Sequence, residues 1–91
     1  VGIDIQYHRE IKLEQTARKI CNPEEWKLFQ QADTERGKKD VLFQIWTKKE
    51  SYLKFTGDGI RRELCEISYE GCRFYRLVMP EGYSGMVCVE N

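Results

Sequence analysis

The chain has 91 residues, enough for one domain and one modest core. Its 15 basic and 15 acidic residues cancel, which disfavours binding nucleic acid by bulk charge. No apolar run approaches the roughly 20 residues that span a bilayer, and no signal-peptide pattern is present. From the start, Val1-Gly2-Ile3-Asp4-Ile5-Gln6 alternates as a half-buried strand does, with Val1, Ile3 and Ile5 expected on the core face and Asp4 and Gln6 together on the other. Tyr7 to Glu10 is polar and turn-like, and Ile11, Leu13, Ala17 and Ile20 are spaced for a helix. Asn22-Pro23-Glu24-Glu25 is a helix start, with Asn as cap, Pro at the first helical position and acids in the first turn. Trp26 and Phe29 mark its buried stripe, and Thr34 to Lys39 reads as a charged break around Gly37.

A helix is predicted from about Lys38 to Phe55. Leu42, Ile45, Trp46, Lys49 and Leu53 form one seam, with Phe43, Thr47, Glu50 and Lys54 beside it. Gly57 suits a left-handed terminator, so Gly57-Asp58-Gly59 reads as a helix stop and not as a phosphate cradle. Leu64 to Tyr69 and Cys72 to Met79 read as strands joined at Glu70-Gly71, Pro80-Glu81-Gly82 as a turn, and Met86 to Glu90 as a last strand. The order of a strand, helices, then three strands predicts an α+β domain over residues 1–91, with helices on one face of an antiparallel sheet. The chain opens within a strand pattern and without Met, so a trimmed piece of something longer is expected. Cys21, Cys65, Cys72 and Cys88 include no Cys-x-x-Cys pair and meet one histidine, His8. Small apolar thiols in a reducing cytoplasm are the simplest reading, and His8 is expected at the surface or a strand end.

Two segments suggest one site. Asp4 and Glu50 offer carboxylate oxygens from a strand and a helix, Gln6 a neutral third oxygen, and Lys49 and Lys54 ammonium groups beside them. Such a set suits a magnesium ion holding a phosphate-rich substrate, with both lysines flanking one phosphate. The same residues equally suit a strand-end carboxylate at Asp4 and a solvated helix face at Lys48-Lys49-Glu50.

Gly2-Ile3-Asp4 followed by Trp46-Thr47-Lys48-Lys49-Glu50-Ser51-Tyr52-Leu53-Lys54 resembles the 4′-phosphopantetheinyl transferase superfamily, particularly its surfactin-synthetase-activating type. Asn22-Pro23-Glu24-Glu25-Trp26, Gly57-Asp58-Gly59-Ile60, and Gly82-Tyr83 before Met86-Val87-Cys88 support it. The resemblance implies transfer of the phosphopantetheine arm of coenzyme A to a serine of an acyl or peptidyl carrier protein, in fatty acid, polyketide or nonribosomal peptide biosynthesis. It implies Mg2+ on the residues matching Asp4 and Glu50, and Glu50 as general base. It also implies coenzyme A phosphates on Lys49 and Lys54, and a supporting acid at Glu25. Where many members have a second acid this chain has Gln6. A chain of this length would be one pseudo-repeat half, the second, its cofactor cleft closed by an N-terminal half or by symmetry-related subunits. The rival expectation is a non-catalytic interaction module on the same fold.

Overall fold

The structure is a computed structural model that describes residues 1–57 and 63–91. Strand β1 (Gly2–Tyr7) leads into helices α1 (Leu13–Ile20), α2 (Pro23–Gln31) and α3 (Glu35–Thr56). A short 3-10 turn, Leu64–Glu66, then precedes strands β2 (Cys72–Arg76) and β3 (Tyr83–Glu90). The sheet order is β1-β3-β2, antiparallel throughout, with Asp4 opposite Met86 and Phe74 opposite Cys88. Helix α3 lies between two layers. One side rests on the sheet, and the other meets α1 and α2.

That double contact explains the broad buried surface of α3. Leu42 and Ile45 join Ala17, Ile20, Cys21 and Phe29 in a helical core, with Trp26 and Trp46 partly buried against it. Tyr52 and Leu53 join Ile67 and Cys88 in a second core between α3 and the sheet, closed by Phe74 and Tyr69. The predicted cap of α2 is present as a reciprocal capping box, in which the Asn22 side chain accepts from Glu25 N and Glu25 accepts from Asn22 N. Gly57 ends α3 at φ 78°, as its position predicts. Asp58, Gly59 and Ile60 lie outside the described residues.

Several expectations are corrected. Helix α3 starts at Glu35, because Thr34 caps it by accepting from Gly37 N at 2.9 Å; the charged stretch is its first turn and not a break. Leu64 to Tyr69 forms the 3-10 turn and an irregular segment instead of a strand, so among the described residues two strands follow the helices and Gly71 joins no hairpin there. Leu64 packs against both the helical core and the sheet-side core, and Ile67 is buried in the latter, which satisfies them without pairing in the sheet. The second strand is shorter than expected and the last one longer, starting at Tyr83.

The faces of β1 are also inverted. Gly2 and Asp4 are buried against α3, whereas Ile3 and Ile5 are 48% and 51% exposed. A Cβ at Gly2 would lie 1.9 Å from Ser51 O and 2.5 Å from Phe55 N. Only glycine permits that approach of strand to helix backbone, and the pleat then turns Asp4 inward and the isoleucines outward. His8 does sit at the end of β1, as expected, with its side chain largely covered. Its ring stacks on Phe43 at 4.7 Å, Nε2 meets Ser84 Oγ at 2.6 Å, and Nδ1 faces Asp40 at 3.6 Å.

Candidate active site

The close contact at Gly2 sets the site, because it brings the end of β1 against the last turns of α3. Asp4 is only 4% exposed, and both its oxygens are engaged. Lys54 Nζ donates to Oδ1 at 2.8 Å and also to the Ile3 carbonyl at 3.1 Å. Gln6 Nε2 donates to Oδ2 at 2.9 Å, while Gln6 Oε1 accepts from Arg9 at 3.2 Å. A carboxylate this enclosed needs such partners, since an unpaired buried charge is strongly disfavoured. Lys54 itself is exposed at the edge of α3, so the pair opens to solvent on the lysine side.

Glu50 is half-buried one helical turn before Lys54, about 5–6 Å away between Cβ atoms. It makes no hydrogen bond or ion pair with any other described residue. Lys54 thus faces β1 and not Glu50, and the ordinary helix-surface pair is not formed. The structure therefore brings Asp4, Gln6 and Lys54 together, and places Glu50 one helical turn before Lys54 on α3.

Lys49 is placed elsewhere. Five residues along a helix turn the side chain by roughly 140°, which points Lys49 away from Lys54. Its ammonium is fully buried, 2.8 Å from Glu25 Oε1 and 2.8 Å from the Leu64 carbonyl. The expectation that Lys49 and Lys54 flank one phosphate does not match this geometry; Lys49 instead ties α2 and the 3-10 turn to α3. Glu25, which the resemblance marked as a supporting acid, serves the α2 cap and this buried pair at once. Tyr69 lies beside them, its hydroxyl buried without a hydrogen bond among the described residues. Burial first, and then the nearby Glu25, push the ionisation of its phenol upward.

The chemistry of the donor set decides whether a divalent cation fits. Asp4 and Glu50 supply hard carboxylate oxygens and Gln6 an amide oxygen, the ligand type magnesium prefers. Asp4 already attracts a cation, the Lys54 ammonium. By donor type these residues suit such an ion, although Gln6 turns its amide nitrogen and not its oxygen toward Asp4; among the described residues no group of three or more His, Cys, Asp or Glu is placed to hold a metal. The sequence did not single out Arg9, which donates to Gln6 and lies over Trp46 at 4.6 Å, and it marked Gly2 only as part of the Gly2-Ile3-Asp4 motif, with no structural role. The signal for Gly2 was in plain view, a glycine two residues before a strand acid.

The chain belongs to the 4′-phosphopantetheinyl transferase superfamily, whose sequence profile matches residues 1–78. Over 63 residues it is 41% identical to the 4′-phosphopantetheinyl transferase HetI of a Nostoc species, a stretch covering 68% of this chain and 26% of that protein. The chain thus spans about a quarter of the length of this curated relative. Its fold is similar to the crystal structure of Thermotoga maritima holo-[acyl-carrier-protein] synthase, with a TM-score of 0.74 and 15% identity over 98% of this chain and 61% of that one.

Proposed function

We propose that this domain carries the metal- and phosphate-binding part of a cytoplasmic 4′-phosphopantetheinyl transferase. The reaction moves the phosphopantetheine group of coenzyme A onto a serine hydroxyl of an acyl or peptidyl carrier protein. The observation that carries this reading is the enclosed Asp4 carboxylate facing Lys54, with Glu50, unpartnered among the described residues, one turn away. Asp4 and Glu50 would hold Mg2+, with Gln6 an auxiliary ligand once its oxygen turns from Arg9. The ion would supply charge neutralisation on the coenzyme A phosphates. Glu50 takes the proton from the serine hydroxyl as its oxygen bonds to phosphorus; the pyrophosphate P–O bond breaks, the adenosine bisphosphate part of coenzyme A leaves with the bridging oxygen, and Lys54 meets the charge on the phosphate oxygens. Lys49, enclosed with Glu25, holds the frame and does not touch coenzyme A.

The sheet face away from α3 exposes Ile3, Ile5 and Tyr75. On the surfactin-type reading, an N-terminal half of a longer chain covers it and completes the coenzyme A cleft. The much greater length of the Nostoc relative supports that arrangement. Transfer of labelled coenzyme A to a carrier protein, measured for a folded chain containing this domain, tests the function. Asp4→Ala and Glu50→Ala should each abolish metal-dependent loading. A folded protein with no transfer at any magnesium concentration would leave only the non-catalytic module.

A further inference from the structure

Resting on the metal reading above, we infer that Lys54 is a placeholder for the metal: its ammonium occupies the Asp4 carboxylate in the free protein and is released toward phosphate when a divalent cation arrives. Three observations lead there. Each Asp4 oxygen already accepts from a donor, Lys54 on Oδ1 and Gln6 on Oδ2, and the side chain is only 5% exposed, so a cation approaching Asp4 competes with one of them. Gln6 is held on its far side by Arg9. Lys54 is the freer group, since its side chain is 53% exposed and its only other bond among the described residues is to the Ile3 carbonyl.

Displacement leaves the ammonium on a flexible four-carbon stem, beside a new positive charge that repels it and with no other carboxylate bonded to it among the described residues. A phosphate oxygen approaching the same ion is the natural partner for it. The protein therefore shields its buried acid without metal, and exposes a phosphate-binding lysine only when metal is present. Metal and phosphate affinity are then coupled through one side chain, and the coupling is reciprocal.

The test is direct metal binding, read by calorimetry with Mg2+ or by Tb3+ luminescence, which needs no turnover. Lys54→Met should bind metal about three- to tenfold more tightly than the unmodified chain, the scale of a half-exposed ion pair that no longer competes. Lys48→Met is the control. Its ammonium lies over the Tyr69 and Phe74 rings, 4.8 and 4.9 Å from their centroids, so it removes equal charge without touching Asp4 and should leave metal affinity unchanged. Asp4→Asn should abolish binding in both backgrounds. In the unmodified chain, the Lys54 ε-methylene resonances should shift to solvent-like values at metal saturation, which keeps the inference testable if a variant folds poorly. Inorganic pyrophosphate should bind more tightly with metal than without it, and Lys54→Met should lose that gain.

Metal affinity in Lys54→Met equal to or below that of the unmodified chain would overturn the exchange while leaving the metal site standing. Equal tightening in Lys48→Met would do the same. No metal binding by either the unmodified chain or Lys54→Met at millimolar concentration would overturn both the exchange and the metal reading.

Discussion

Replacing Gly2 with Ala puts the contact between β1 and α3 under direct strain. The added methyl would sit 1.9 Å from Ser51 O and 2.5 Å from Phe55 N. Both are backbone atoms inside a 22-residue helix, so neither can swing aside as a side-chain tip would. Restoring ordinary contact at 3.4 Å requires β1 to retreat by about 1.5 Å, which pulls Asp4 from Lys54 and opens the sheet-side core. Overpacking typically costs about 1–3 kcal/mol, and the rigid opponents place this case at the upper end. Reduced freedom of the unfolded chain returns about 0.4–1 kcal/mol. The net loss is about 2 kcal/mol, a fall in Tm of roughly 8–16 °C for a domain of this size. Urea and thermal unfolding followed by circular dichroism would measure it. Gly57→Ala separates strain from space: nothing lies within 4 Å of its Cβ position, yet φ is +78°, so it should cost only about 1 kcal/mol. A Gly2→Ala chain within about 0.5 kcal/mol of the parent would refute the close approach and, with it, the inward turn of Asp4.

Four further outcomes are expected. Lys49→Met leaves Glu25 and the Leu64 carbonyl without their shared cation and should destabilise the fold by about 2–4 kcal/mol in denaturant titration; a loss under about 1 kcal/mol would show the pair is not enclosed. Tyr69→Phe removes a buried hydroxyl that has no hydrogen bond among the described residues, so stability should stay within about 0.5 kcal/mol or rise; a loss above about 1 kcal/mol would reveal a hydrogen bond to Glu25. Burial pushes the thiols of Cys21 and Cys88 up to about 11 and about 12 from an ordinary value near 9. Iodoacetamide at pH 8 should therefore label Cys65 and Cys72 first, as mass spectrometry would read. Because the unfolded chain gives up these protons near pH 9 while the folded chain keeps them, stability should fall as pH rises from 9 toward 12.

Much of the fold was legible because local rules and tertiary packing agree. Asn22-Pro23-x-Glu25 caps a helix in any context, and Gly57 stops one. The helix around Trp46 to Lys54 carries apolar residues at helical spacing, though its two-sided burial, against α1 and α2 and against the sheet, broadens the stripe beyond one seam. Leu64 to Tyr69 misled because a short apolar run suits a strand as well as a turn whose side chains plug gaps between cores. The alternation of β1 gave the correct period and the wrong sign. Period alone cannot say which set faces the core when the far face of the sheet is also apolar.

That reversed sign is what makes the site intelligible. Had Ile3 and Ile5 faced α3, Asp4 would lie on the outer face, solvated and remote from Lys54 and Glu50. The glycine at position 2 removes the side chain that would hold β1 off the helix, and the acid two residues on inherits the inward direction. Burial then raises the cost of leaving that acid alone, and Lys54 and Gln6 answer it. The sequence segments 1–6 and 46–54 meet not because opposite charges find each other but because a missing side chain lets two backbones touch. Lys49 shows the complementary rule. It adjoins Glu50 in sequence, yet helical phase and a waiting Glu25 draw it into the core, so neighbourhood in a motif does not assign a shared role.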